Sequence, residues 1–202
     1  MTEVSINKQV KLSEHFTLGE LCKTGVKTAD GNIPSHVHIE NLKRVCEWLE
    51  ELRRRYNQQY VCENEERSVS PPELGGARGG LNEGMSGASS DHPAHTGTPP
   101  NLGGEINTDA PIIITSGYRS PELNKKVGGS PTSNHLTGCA VDIRVAGIEQ
   151  AMRYAVILMD YADETRQDYD ELLIEKNSRG AIWLHFAVRP KDNRRKTMFI
   201  QK

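Results

Sequence analysis

The chain has 202 residues, room for one ordinary domain, and its 25 Lys and Arg against 27 Asp and Glu leave a formal net charge of -2 at pH 7. So even a balance gives no electrostatic basis for nucleic acid or an anionic membrane as the main partner, and suits a small polar or zwitterionic one. The longest apolar runs, 112–114 and 154–159, fall far short of the roughly 20 residues that a membrane-spanning helix needs.

The opening MTEVSINKQVKLSEHF has neither the apolar stretch nor the small-residue cleavage site of a secretory signal, so the chain is expected to be cytoplasmic as synthesised. Thr17-Leu18-Gly19-Glu20 has the form of a capping box and predicts a short helix from Leu18. After Ile33-Pro34, Ser35 is placed to cap a longer helix reaching about Asn57, with Leu42, Val45, Cys46, Leu49, Leu52 and Tyr56 as its buried stripe. Its other face, Lys43, Arg44, Glu47, Glu50, Glu51, Arg53 and Arg54, reads as solvated.

Between 63 and 109 the composition shifts to Gly, Pro, Ser, Asn and Glu without periodicity, and such a stretch cannot bury enough apolar surface to offset its ordering entropy. It predicts a low-complexity, disordered insertion in a single domain spanning 1–202. His92 and His95 inside it read as loop histidines, because a flexible segment fixes no ligand geometry. Cys22, Cys46, Cys62 and Cys139 form no CxxC pair and read as reduced thiols, mostly buried.

Beyond the insertion, 111–115 is a β-branched run that predicts a strand. Ser120-Pro121-Glu122 supplies an N-cap, a first-turn proline and an early acid for a short helix that Gly128-Gly129 ends. The alternation over 139–145 puts Val141, Ile143 and Val145 on one face of a strand, and Ala140, Asp142 and Arg144 on the other. An amphipathic helix is expected over 148–161, buried through Ile148, Met152, Ala155, Val156, Met159 and Tyr161. Strands over 172–175 and 181–188, joined by Asn177-Ser178-Arg179-Gly180, should pair antiparallel. The fold class is therefore α+β, a small, mainly antiparallel sheet flanked by helices.

A hydrolytic zinc site needs three nitrogen or oxygen ligands and one open position. His135, Asp142 and His185 can supply that set. In the last strand Ile182, Leu184, Phe186 and Val188 share one face, so His185 points the other way with Trp183 and Ala187, and an antiparallel neighbour would bring Asp142 to the same point. Taken singly, a terminal-strand histidine is more often structural, whereas an aspartate among apolar strand residues is costly unless paired or metal-bound.

The residues around the three sharpen the reading. Ser116-Gly117-Tyr118-Arg119-Ser120, then Ser133-Asn134-His135-Leu136-Thr137-Gly138-Cys139-Ala140-Val141-Asp142, then Trp183-Leu184-His185 resemble the pattern SGYRS…SxHxxGxAxD…WxH of the M15 zinc peptidases. The opening LSEHFTLGEL resembles the start of that family's carboxypeptidase-like branch. The resemblance implies the fold shared by D,D-peptidases and Hedgehog signalling domains, a Zn2+ cofactor on His135, Asp142 and His185, Tyr118 and Ser133 at the substrate, and Arg119 in a catalytic and substrate-binding role, anchoring a peptide carboxylate or stabilising the developing oxyanion. It also implies hydrolysis of a peptide bond in bacterial peptidoglycan stem peptides, of D-Ala-D-Ala carboxypeptidase or murein endopeptidase type.

Several family members carry an acid three positions before the last zinc histidine, where this chain has Ile182. The carboxypeptidase-like branch places a glutamate at the end of the preceding strand, and that resemblance makes Glu175 the candidate general base, with orientation of a ligand histidine as its other reading. A monomer is expected, acting on the wall after phage-type release. The rival readings are a non-catalytic, zinc-stabilised binding module and a scaffold that recruits a partner through 63–109.

Overall fold

The structure is a computed structural model that describes residues 7, 9–61 and 109–201. The predicted insertion except Asp109, with His92, His95 and Cys62, lies outside them. Helix α1 is Leu18–Leu21, and its cap is the predicted one: Thr17 Oγ1 accepts from the Glu20 amide, and the Glu20 carboxylate accepts from the Thr17 amide at 2.8 Å. Helix α2, His36–Tyr56, buries the predicted stripe except Tyr56, which is half-buried, and adds Trp48. Its charged face is only partly solvated. Glu50 turns toward the N-terminal segment and accepts from Ser13 Oγ at 2.6 Å and from the His15 amide at 2.8 Å.

A π turn, Asn57–Val61, follows α2. The described residues resume beside this end, where Asp109 pairs with Arg53 and Asn57, and the Ala110 amide donates to Asn57 Oδ1 at 2.8 Å. Strand β1 is Ile114–Ser116 and helix α3 is Pro121–Lys126, capped at Ser120, whose Oγ accepts from the Leu123 amide. A 3-10 turn, Asn134–Thr137, leads into strand β2, Ala140–Arg144. Helix α4, Ile148–Thr165, is followed by strands β3, Glu171–Lys176, β4, Ile182–Ala187, and β5, Lys196–Gln201.

The five strands lie in the order β1-β2-β4-β3-β5, all antiparallel except β5, which runs parallel to β3. Strand β5 was not expected from the sequence. It is an edge strand whose Thr197, Met198 and Phe199 are all exposed, so it lacks the apolar-polar alternation of a strand with one buried face. Helix α4 also differs from expectation. Its buried residues are Ala151, Tyr154, Ala155, Ile157, Leu158 and Ala162, while Ile148, Met152 and Val156 are exposed. Aliphatic residues occur on both sides of this helix, and the side with Tyr154, Ile157, Leu158 and the small alanines is the one that is buried.

One face of the sheet forms the core. Val141, Ile143, Leu172, Leu184 and Phe186 pack there with Leu42, Val45 and Leu49 of α2 and Tyr154 and Leu158 of α4. Trp48 stands at the centre, its ring centroid 5.4 Å from that of Phe186 and 4.8 Å from that of Tyr161. An aromatic side chain of this kind takes roughly 150–250 Å² out of water. Pleat alternation then sends Asp142, His185, Glu171 and Glu175 to the opposite face. No helix among the described residues is long and apolar enough to cross a membrane.

Gly117 joins α1 to this sheet. A Cβ there would lie 2.1 Å from the Leu21 carbonyl oxygen, the same oxygen that accepts from the Tyr118 amide at 2.7 Å. The Gly117 carbonyl is itself the partner of a candidate metal ligand, His135. Gly117→Ala should therefore cost at least about 1–3 kcal/mol of stability, the range for overpacking a dense site. A urea melt unchanged from wild type would contradict the contact.

Candidate metal centre

His135 comes from the 3-10 turn before β2, Asp142 from β2 and His185 from β4, where Asp142 and His185 are direct cross-strand partners. All three are buried. His135 Nε2 lies 3.3 Å from His185 Nδ1 and 3.3 Å from Asp142 Oδ1, and His185 Nδ1 lies 2.9 Å from that same oxygen. A tetrahedral ion with bonds of about 2.0–2.1 Å separates its donors by about 3.3–3.4 Å. Two of the three edges have that length and the third, at 2.9 Å, is shorter, so the three atoms face one point close to the geometry of such an ion, and two nitrogens with one oxygen suit a divalent ion of borderline softness.

Each donor has a partner that turns the required atom inward. His135 Nδ1 lies 2.6 Å from the Gly117 carbonyl oxygen, which can only accept, so the proton sits on Nδ1 and the lone pair on Nε2. Asp142 Oδ2 accepts from an Arg119 terminal nitrogen at 2.6 Å, leaving Oδ1 to face both histidines. His185 Nε2 lies 3.6 Å from Glu171 Oε2, an ion-pair distance that keeps Nδ1 toward the other donors. Glu171 Oε2 also accepts from Asn134 Nδ2 at 3.0 Å, which ties the turn bearing His135 to β3.

Electrostatics separate the two imidazoles. Burial lowers the pKa of His135. Burial opposes charge on His185 as well, but bonds to the Asp142 and Glu171 carboxylates outweigh it and raise its pKa to about 9. Asp142 is held below the ordinary carboxylate range, the two histidines overcoming the effect of burial. Glu171 is lowered to about 2, chiefly by His185.

The residues singled out from the sequence take different places around this group. Arg119 is at the cleft, but its guanidinium is engaged by Asp142 and, through Nε, by Ser116 Oγ at 2.9 Å. Ser133 lines the cleft and caps the turn, its Oγ accepting from the His135 amide. Tyr118, expected at the substrate, is instead buried in the core cluster and stacked on His38 with centroids 4.8 Å apart, away from the cleft. Its side chain supports the SGYR turn rather than touching anything in the site.

Glu175 is buried on the site face, but the β3–β4 register sets it opposite Trp183, with Leu173 opposite His185. It flanks His185 on one diagonal as Glu171 does on the other, and the carboxylate that reaches His185 Nε2 is Glu171. Glu171 was not found by the sequence reading. Its signal was available in the strand alternation, since 171, 173 and 175 share a face, but only the register tells which acid lies on which side.

A cleft of about 750 Å³ opens on the group and is lined by Ser116, Arg119, Ser133, Glu171, Glu175 and Arg194, among others. Buried donors facing one another, an open cleft and a carboxylate two residues along the strand from the nearest ligand's partner are the parts of a hydrolytic metal site. Residues 105–168 match the family model described as Peptidase M15. The match supports an M15 peptidase. It spans Arg119, His135 and Asp142 and ends before β3 and His185. No curated protein matches the chain.

Proposed function

We propose that the chain is a zinc-dependent M15 peptidase that hydrolyses a peptide bond in peptidoglycan stem peptides. The observation that carries this reading is the meeting of His135 Nε2, Asp142 Oδ1 and His185 Nδ1, 2.9–3.3 Å from one another, on the floor of an open cleft. The residues fit zinc in donor type, number and spacing. When bound, the ion would supply a Lewis acid for the scissile carbonyl and an acidified water. Glu175 would take the proton of the attacking water and return it to the leaving amine. Arg119 would hold Asp142 to a single inward oxygen, and Ser133 would border the bound peptide.

The five-stranded α+β architecture is compatible with the D,D-peptidase type of fold, and the whole of 1–202 is read as one such domain carrying an insertion. Delivery to the wall by phage-type lysis suits that substrate. The deciding experiment incubates the purified, zinc-loaded protein with muropeptides, with and without a chelator, and weighs the products. A mass loss matching one hydrolysed amide, abolished by the chelator and restored by zinc, is expected. Zinc bound at one equivalent with every muropeptide intact would support the binding-module reading instead.

A further inference from the structure

On the site face, the cross-strand rung beside Asp142 and His185 is Arg144 opposite Trp183, and Trp183 is opposite Glu175 on its other side. Arg144, Trp183 and Glu175 therefore form one row across β2, β4 and β3, parallel to the row that holds two of the metal donors. Strands lie about 4.8 Å apart, so Arg144 and Glu175 stand roughly 10 Å apart at the two ends of this row. Glu175 lines the main cleft, and Arg144 lines a second pocket of about 660 Å³. The two spaces share Thr115, Asp142 and Trp183.

The guanidiniums around this site are not equivalent. Arg119 is bonded to Asp142 and Ser116, and Arg194 is paired with Asp170 and Glu171. Arg144 is exposed and has no ion pair or side-chain hydrogen bond among the described residues. Apart from Asp142, which Arg119 already holds, no acid lines its pocket among the described residues, which are small or apolar there except for Thr115 and Trp183. A cation with its donors uncommitted, in a pocket that adjoins the metal donors, meets the requirements for holding an anion in a fork.

We propose that Arg144 is the substrate anchor of this site and binds a carboxylate of the peptide in the pocket walled by Trp183. The proposal rests on the peptidase reading above and adds to it the charge of the substrate and its direction. The scissile carbonyl lies over the donors, the carboxylate lies toward β2, and the attacking water lies toward Glu175 on β3. Trp183 forms the floor between the two ends.

The test uses the zinc-loaded full chain and three peptides: one ending in D-Ala-D-Ala with a free carboxylate, the same peptide as its terminal amide, and a terminal amide with an acidic residue next to the scissile bond. Wild type should favour one of the two carboxylate peptides over the uncharged amide by about 10–100-fold in kcat/KM, the range of one charge-assisted pair. Which of the two is favoured separates a chain-terminal carboxylate from an internal one. Arg144→Gln, at equal zinc content, should erase that ratio, and Arg144→Lys should keep part of it. A ratio that survives in Arg144→Gln, or is absent in wild type, overturns the proposal. Binding of the same peptides is measured alongside turnover. If no peptide is cleaved, the peptidase reading fails, while a carboxylate preference in Kd that disappears in Arg144→Gln still sustains the anchor and its absence rejects it.

Discussion

Replacing His135 with alanine is expected to strip the protein of tightly held zinc, with an affinity loss well beyond the 10–100-fold or so that follows from losing an outer partner of a ligand. Removing one of three protein donors leaves two, and the site no longer closes around the ion. Because His135 is buried, the substitution also opens a cavity, so Asp142→Asn is the companion variant. It keeps the side-chain volume and changes only the charge and one oxygen of a group that faces His135, His185 and Arg119. Both variants should hold less than stoichiometric zinc after dialysis against a weak chelator, while wild type retains one equivalent. Full zinc content in either variant, by metal analysis of folded protein, would reject this ligand set.

The meeting of His135, Asp142 and His185 was legible because two kinds of regularity coincide there. Alternation in β2 and β4 fixes which way Asp142 and His185 point, and an antiparallel pair then places them side by side. The motif around His135 has a physical reading that only the structure supplies. In Ser116-Gly117-Tyr118-Arg119, the serine holds the arginine, the glycine permits the approach of Leu21 and orients His135, the tyrosine anchors the turn in the core, and the arginine grips Asp142. Gly138 serves the other end of the turn. Its φ of 70° and a Cβ position 2.6 Å from the His38 carbonyl oxygen exclude a side chain.

What stayed hidden depends on contacts between segments distant in sequence. Helical period alone left the rotation of α4 open, because Ile148, Met152 and Val156 make a stripe as apolar as the one that is buried. Strand β5 has no apolar face to announce it, and its place beside β3 comes from backbone pairing. Asp170, fully buried, drew no reading from the sequence. In the fold it binds Arg194 through both carboxylate oxygens and accepts from Asn134 Nδ2 at 2.7 Å, so it joins the His135 turn to the start of β3. Glu171 and Glu175 could be told apart only when β3–β4 register and the direction of the His185 ring were both known.

That distinction sets the second large effect. Glu175→Gln preserves the size of the side chain and removes its ability to accept a proton, so turnover of a muropeptide should fall by about 10²–10⁴-fold. Zinc content should stay at one equivalent, because the carboxylate at His185 Nε2 belongs to Glu171. Glu171→Gln should show the reverse pattern: zinc affinity lower by about 10–100-fold, and activity that recovers when zinc is supplied in excess. The pair of variants tests the assignment in both directions, since each acid flanks His185 and either could serve as its partner by sequence position alone. Rescue of Glu175→Gln by excess zinc, together with a zinc-independent loss in Glu171→Gln, would exchange the two roles. A Glu175→Gln protein with full zinc and wild-type turnover would remove Glu175 from the chemistry and leave Glu171, the other glutamate lining the cleft among the described residues, as the proton acceptor.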